Sequence, residues 1–457
     1  MKAILKIGNA QAFWGDRNGA SYRLLQQQPD LDYLTLDYLS EVSLSIMAAQ
    51  KTKDPLAGYA KDFIEVIKSL VPFWKEGSKV KIITNAGGLE PLLCGKACME
   101  VLKDCGLHAL RIGIVSGDDV LETIRNDFKN SLFNNFETKE PISHILDKLT
   151  TANAYFGAKP IAEALALGAD IVITGRTADP SLTVAPCVVH FGWSWTDYNK
   201  IAQATIAGHL IECGTQATGG ISTDWLDISD SEAIGFPFVE IDKEANVILT
   251  KPEKTGGKVT LDTVKEQLLY EIGDPAAYLS PDATVSFLSL KLEQIGKSRV
   301  KITGADGREP PSSFKVSASY RDGYKAEGML AIFGRECEAK ARRCGEIILA
   351  KMTEEGFIPQ KYKVECIGCG DLVPGVVPFG SEGKKNSLEC MLRVCAADLR
   401  KDVIECFSRQ IAPLVTCGPQ GTTGYTSGRP PIRPVFGYWP CLIETSQAVP
   451  KIEWIEV

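Results

Sequence analysis

The chain has 457 residues, with 50 Lys+Arg against 57 Asp+Glu and a formal net charge of −7. That balance, with no Lys/Arg run, excludes a nucleic-acid partner, whose phosphates need a basic patch. The length exceeds what one hydrophobic core fills, so two or three domains are expected.

No uninterrupted apolar segment reaches the length needed to cross a bilayer. The opening MKAILKIGNAQ reads as a first strand and not as a secretory leader. The expectation is a cytoplasmic protein without membrane contact. Short apolar runs at 3–8, 33–36, 78–84, 109–116 and 169–174 predict five strands. Amphipathic stretches at 55–70, 91–106 and 160–168 lie between them, the last two opening on Pro and closing on Gly as helices do. Strand–helix alternation implies a parallel, doubly wound α/β sheet over residues 1–235.

Such a sheet binds ligands at the carboxyl ends of its strands. Four loops there carry Gly with Asn, Asp or Arg, at 8–17, 85–91, 117–119 and 175–180. Together they predict a ligand crevice, with Asp16, Arg17, Asn85, Gly87, Gly88, Asp118, Arg176 and Asp179 as substrate-binding candidates. In the second loop, Gly87 and Gly88 precede a helix start at Pro91, an arrangement suited to an anion. It is neither GxGxxG nor a P-loop, so no redox or nucleotide cofactor is required.

Residues 197–213 (DYNKIAQATIAGHLIEC) predict one helix, capped by Thr196 or Asp197 and stopped by a left-handed Gly214. Ile201, Ala204, Ala207, Leu210 and Ile211 form its apolar face. His209, Glu212 and Cys213 share its last turn and are neighbours on its surface. The negative helix end favours a protonated His and raises the pKa of a nearby acid. Glu212 is the candidate general acid or base, His209 its tuning partner and Cys213 a candidate nucleophile, with Gln216 beside them for substrate. Equally, the same spacing fits a helix end in which His209 caps carbonyls and Glu212 forms an ion pair.

From residue 236 the texture changes to alternating strands and one helix, a connecting segment over 236–304. Residues 305–312 (ADGREPPS) read as a linker. The order strand 314–320, strand 328–334, helix 335–353, strand 362–368, strand 387–397, helix 400–410, strand 412–418 contains a split βαβ, ferredoxin-like α+β pattern over 305–457. The 14 cysteines are scattered, and Cys366-Ile-Gly-Cys369 lacks a second pair, so reduced thiols and no metal site are expected. The tail at 418–431 is glycine-rich and long for a loop.

Read together, GNAQAFWGDR, ITNAGGLEP, VSGDD, GRTADPSL, HFGW, GHLIECGTQATGG, the TGGKVT…EQLLYEIGDPAAYLSPD block and GPQGTTGYTSGRPP resemble the acyclic terpene utilisation protein A (AtuA) family. The likeness covers nearly the whole chain. The chain departs from the family in GNAQAF, where more glycine is common, and in Glu90, where Asn is usual. It also lacks an RSGDKG-like segment, so it resembles a short-form member. The resemblance implies a setting in the breakdown of acyclic terpenes and branched acids, whose intermediates are coenzyme A thioesters. It does not imply a reaction.

Residues and resemblance together favour an enzyme acting on a carboxylated or thioester-linked small molecule by lyase- or hydratase-like proton transfer. Arg176 would clamp a carboxylate, and Asn85, Gly87 and Gly88 would hold an anion. A non-catalytic subunit of a larger complex is the alternative. A metal-dependent hydrolase using Asp118, Asp119 and Asp179 is a weaker reading, because Asp in such loops more often caps helices. A homo-oligomer is expected, with a heteromeric partner as the alternative.

Overall fold

Apolar runs of four to six residues, buried on both sides, make the centre of a ten-stranded sheet. The structure is a computed structural model and describes residues 2–375, 387–425 and 428–457. It has two compact units, one of Met1–Ser319 with Tyr438–Val457 and the other of Tyr320–Gly437. The protein is mixed α/β, with this large sheet and a second, antiparallel one.

In the first unit the strands are β1 (Ile4–Asn9), β2 (Tyr33–Leu36), β3 (Lys81–Thr84), β4 (Arg111–Ser116), β5 (Leu149–Ala154), β6 (Ile171–Thr174), β7 (Phe238–Asp242) and β8 (Val247–Thr250). They continue with β9 (Tyr278–Leu279), β10 (Thr284–Ser286), β11 (Lys291–Gly296), β12 (Arg299–Thr303) and β13 (Asp306–Arg308). The later strands are β14 (Ser313–Phe333), β15 (Lys361–Ile367), β16 (Glu389–Asp398), β17 (Thr422–Tyr425), β18 (Arg433–Glu444) and β19 (Lys451–Glu456). The large sheet runs β11-β12-β8-β7-β1-β2-β3-β6-β4-β19. Its central five, β1-β2-β3-β6-β4, are parallel. Their carboxyl ends therefore line one edge in that spatial order.

The helices of this unit are α1 (Ala20–Gln27), α2 (Glu41–Lys51), α3 (Asp62–Lys75), α4 (Pro91–Asp104), α5 (Leu121–Asn126), α6 (Lys159–Ala166), α7 (Ser181–Phe191), α8 (Tyr198–Glu212) and α9 (Leu261–Leu269). Ile82, Ile171 and Ile173 join a core built on α1, α3 and α4. Successive strand residues face opposite ways, and Ile83 and Val172 are equally buried. Both faces are thus covered, and α6, α7 and α8 contribute contacts to β1, β2 and β6. Such a sheet keeps its polar groups for the strand tips.

The segment 236–304 supplies β7, β8, β11 and β12 to one edge of this sheet. Residues 305–312, expected as a linker, are instead held in place. Asp306–Arg308 pairs with β10, and Ala305 N donates to Gln203 Oε1 at 3.0 Å. The two strands expected at 314–320 and 328–334 are one strand, β14. Gly323 lies within this strand at φ +84°, where a Cβ would lie 2.4 Å from the Asp398 carbonyl. Residues 412–418, expected as a strand, form a short helix at Leu414–Cys417, started by Pro413. The strand follows at Thr422–Tyr425, and residues 426–427 of the glycine-rich tail lie outside the described residues. The second unit orders its strands β15-β16-β14-β17, with helices at Cys337–Glu354 and Lys401–Gln410.

Helix α8 is buried along every residue from Ile201 to Glu212, not on one face alone. It behaves as a core helix. Its expected cap is absent, since the Asp197 carboxylate accepts from Ser194 N, while Gly214 takes the left-handed stop at φ +58°. Gly208 lets α8 approach α7 closely: a Cβ there would lie 2.6 Å from the Pro180 carbonyl oxygen. That contact places the last turn of α8 beside the loop after β6.

Gly208→Ala is expected to destabilise the protein. Alanine favours a helix interior by about 1 kcal/mol, but overpacking against a backbone oxygen costs about 1–3 kcal/mol or more. A net loss in a urea unfolding curve is the expected outcome; a gain would show that α7 and α8 separate freely.

Candidate functional site

The five parallel tips present Asn9, Asp37, Asn85, Arg176 and Asp118, in sheet order. Each is tied into its surroundings by side-chain hydrogen bonds. Asn9 Nδ2 donates to the Glu212 carbonyl at 3.2 Å, which anchors the end of α8 on β1. Asn85 Nδ2 donates to Asp37 Oδ1 at 2.6 Å, and Asn85 Oδ1 accepts from Tyr38 N at 2.7 Å. Arg176 Nη1 donates to the Leu39 carbonyl and to Asp179 Oδ1, both at 2.8 Å. Asp118 Oδ2 accepts from Arg176 N and from Asn153 Nδ2, again at 2.8 Å.

At the end of α8, His209 Nδ1 and Glu212 Oε1 are 2.9 Å apart. His209 Nε2 lies 2.9 Å from the Gln267 carbonyl. A carbonyl only accepts, so Nε2 carries a proton and donates it. One further proton is then shared between Nδ1 and Oε1. Glu212 Oε2 is buried without a partner. Tyr278 and Phe287 pack on the imidazole with ring centroids at 6.3 and 5.9 Å.

Burial dominates the electrostatics. It lifts Glu212 to about 7, against the opposing pull of His209, and the Asp179 charge adds to the rise. Burial is the largest influence on His209 and opposes its charge, but the hydrogen bond and charge of Glu212, the Gln267 carbonyl and the Glu271 charge together outweigh it and raise the imidazole. Burial, then the Asp179 charge, holds Asp37 well above the usual carboxylate range, and both Arg176 and Glu212 act on it. Burial lifts Asp118 to about 6 and raises Asp179 as well. The tip carboxyls and the end of α8 are therefore one electrostatic neighbourhood. Arg176 is its buried arginine, 3% exposed, with Nε unpartnered and its guanidinium 4.1 Å from the Tyr155 ring centroid.

Asn85, Asp118, Arg176, Asp179, His209, Glu212 and Cys213 are gathered in this neighbourhood, with Gln216 on the next turn and its Oε1 buried without a partner. Burial first, then the Glu212 charge, pushes the Cys213 thiol up, which disfavours the thiolate a nucleophile needs. Asp16 closes its own loop, accepting from Ala12 N and Arg17 N, and Arg17 is exposed. Gly87 and Gly88 sit in a loop whose N–H groups are engaged: Ala86, Gly88, Leu89 and Glu90 all donate within the protein. The two glycines serve close packing, since a Cβ would meet the Thr174 carbonyl at 2.5 Å and Met47 Sδ at 2.3 Å. Four of the N–H groups around the expected anion position are thus spent within the protein.

Sequence reasoning missed Asp37, Glu41, Tyr155, Gln267, Tyr278 and Lys315. Tyr155 OH donates to Glu41 Oε1 at 3.0 Å, and Lys315 Nζ lies 4.8 Å from the Tyr155 ring centroid. Asp37 follows an identified strand run, but its loop has no glycine to mark it; Gln267 and Tyr278 lie in the EQLLYEIGDPAAYLSPD block, whose residues carry no chemistry by spacing alone, and Glu41, Tyr155 and Lys315 come from segments with no motif. A cavity of about 340 Å³ opens at the same sheet edge, lined by Lys51, Leu89, Asp119, Thr151 and Asn153. A second, of about 460 Å³, lies against Trp14, Gln50 and Lys53. Neither lining includes Arg176 or Glu212. Asp119 caps Leu121 N, and among the described residues no three His, Cys, Asp or Glu side chains are grouped to hold a metal ion. All 14 cysteines are free, and no helix among the described residues is long and apolar enough to cross a membrane.

Fold and tips define a mixed α/β protein with a buried polar cluster where its parallel strands end. The chain belongs to the acyclic terpene utilisation family: the model for acyclic terpene utilisation family protein AtuA matches residues 5–454. No curated protein and no solved structure matches it.

The His209–Glu212 pair gives a pH signature. Between the ordinary glutamate value of 4.5 and about 7, folded Glu212 keeps a proton that the unfolded chain has released. Stability therefore falls as pH rises through that window. His209 acts in the same sense, since its contribution is full below 6.5 and lost above its raised folded value. Glu212→Gln is expected to flatten the fall, so its urea midpoint gains on that of the wild type between about pH 5 and about pH 8. Parallel pH profiles would remove Glu212 as the titrating group.

Proposed function

We propose that the protein is an enzyme of acyclic terpene utilisation. It acts on a carboxylated, branched acyl substrate, free or as a coenzyme A thioester, and moves a proton next to a carbonyl in a lyase- or hydratase-like step. The observation that carries this reading is the division of labour in Glu212. One oxygen is held by His209, and the other is buried and unpartnered, on a carboxyl that titrates near neutrality. A base of that kind takes a proton from carbon at neutral pH and returns it. His209, fixed by the Gln267 carbonyl, carries the compensating proton on Nδ1.

Arg176 supplies the anchor. Its unpartnered Nε and its position on Tyr155 suit a substrate carboxylate. The chemistry calls for no redox cofactor and no metal. The free thiols support a reducing compartment such as the cytoplasm, and a homo-oligomer remains part of the reading. In the second unit, the order β15-β16-β14-β17 with two helices supports a ferredoxin-like arrangement.

Mass spectrometry of small molecules retained by the purified protein tests the substrate class, with a carboxylated acyl compound or its thioester expected. With that compound, Glu212→Gln should bind as the wild type does and lose turnover by about 100-fold or more. Arg176→Lys should weaken binding, because it lacks the planar fork. A protein without turnover alone that co-purifies with a second protein would instead make it a non-catalytic subunit.

A further inference from the structure

We infer that Asp37 is the second proton-carrying residue of this site, offering Oδ2 to the substrate carbonyl oxygen while Glu212 works at the neighbouring carbon. The inference rests on the proton-transfer reading above and names the acid that the reading lacks.

Its basis is geometric. Asp37 stands at the tip of β2, between the β1 tip that anchors Glu212 through Asn9 and the β3 tip that carries Asn85. It is 4% exposed. Among the described residues, no Lys, Arg or His forms an ion pair with it. A carboxyl so buried and with no direct ion-pair partner favours its neutral form. Oδ1 already accepts from Asn85 Nδ2 at 2.6 Å and from Leu39 N at 3.2 Å. Both partners are donors, so the acidic proton sits on Oδ2. The charged groups facing it are Asp179, Arg176 and Glu212, and burial with Asp179 raises it well above the usual range. Asp118, the other deeply buried tip acid, also gives one oxygen to two donors, Arg176 N and Asn153 Nδ2, but it stands at the β4 tip, beyond β6 and away from the β1 tip that anchors Glu212, and its bond to the Arg176 backbone makes it a positioning residue for that loop.

The step balances within these groups. Glu212 takes the proton from the carbon next to the carbonyl, and the C–H electron pair becomes the C=C of an enol. The carbonyl π pair moves to oxygen, which receives the Asp37 proton. Asp37 becomes a carboxylate held by Asn85, by Leu39 N and by the field of Arg176. Reversal returns both protons; in a dehydration the enol O–H proton goes back to Asp37 and its pair re-forms the C=O, the enol C=C pair moves to the α,β position, and the β C–O pair leaves with the hydroxyl, which takes the proton held by Glu212 and departs as water.

Asp37→Asn keeps the Oδ1 acceptor, so the bonds to Asn85 and Leu39 survive while the transferable proton is lost. Difference infrared spectra at neutral pH are expected to show a protonated-carboxyl band in the wild type that Asp37→Asn removes; an unchanged band overturns the inference. If the variant does not fold, wild type with 13C-labelled aspartate replaces it, and absence of any protonated aspartate at neutral pH overturns the inference. With the retained acyl compound as substrate, Asp37→Asn should lower kcat by about 100-fold with little change in KM. Loss of α-proton exchange in Glu212→Gln but not in Asp37→Asn sinks only the role of Asp37. Exchange surviving in Glu212→Gln sinks the proton-transfer reading itself.

Discussion

The bond from Asn85 to Asp37 ties the tips of two neighbouring parallel strands, and the buried polar cluster depends on it. A sheet covered on both faces leaves its strand ends as the place where polar side chains gather. Asn85 uses both ends of its amide, one on Asp37 and one on Tyr38 N, so a single side chain orders the loops after β2 and β3. The Leu39 carbonyl in the first of those loops then receives Arg176 from β6. Three adjacent tips are linked in this way, and Asp118 fastens the Arg176 backbone from the fourth. Asn9 holds the end of α8 from the fifth.

The arrangement concentrates acids where they are poorly solvated. Asp37, Asp118, Asp179 and Glu212 are all pushed upward, by burial first, around one deep arginine. A fold selected for stability alone would replace such groups with apolar ones. The apolar layers of β3 and β6, with α8 buried throughout, offset this unfavourable term. Perturbed carboxyls clustered at strand tips fit a site where protons move.

Much of the first unit was legible in the chain because its signals are local. Residues 33–36 are a strand at the expected bounds, and Pro91 opens a helix as its ring geometry dictates. Four loops were marked by glycine, but glycine has two uses. At 87 and 88 it lets Thr174 and Met47 pack close, and the N–H groups of Gly88, Leu89 and Glu90 bond within the protein. The loop after β2, Asp37-Tyr38-Leu39-Ser40, has no glycine and so carried no mark. Residues 314–320 and 328–334 read as two strands because the polar stretch between them breaks the apolar pattern, yet the backbone runs through it as one strand.

Sequence by itself determined what depends on near neighbours: the alternation of strand and helix, the family, and the pairing of His209 with Glu212 one turn apart on α8. Tertiary structure alone decided the strand order, which brings Asp37 between Asn9 and Asn85 from far along the chain. It also decided the burial of Glu212, Asp37 and Arg176. A carboxyl's readiness to hold a proton depends on the water and charges around it, and those come from distant segments that no local pattern records.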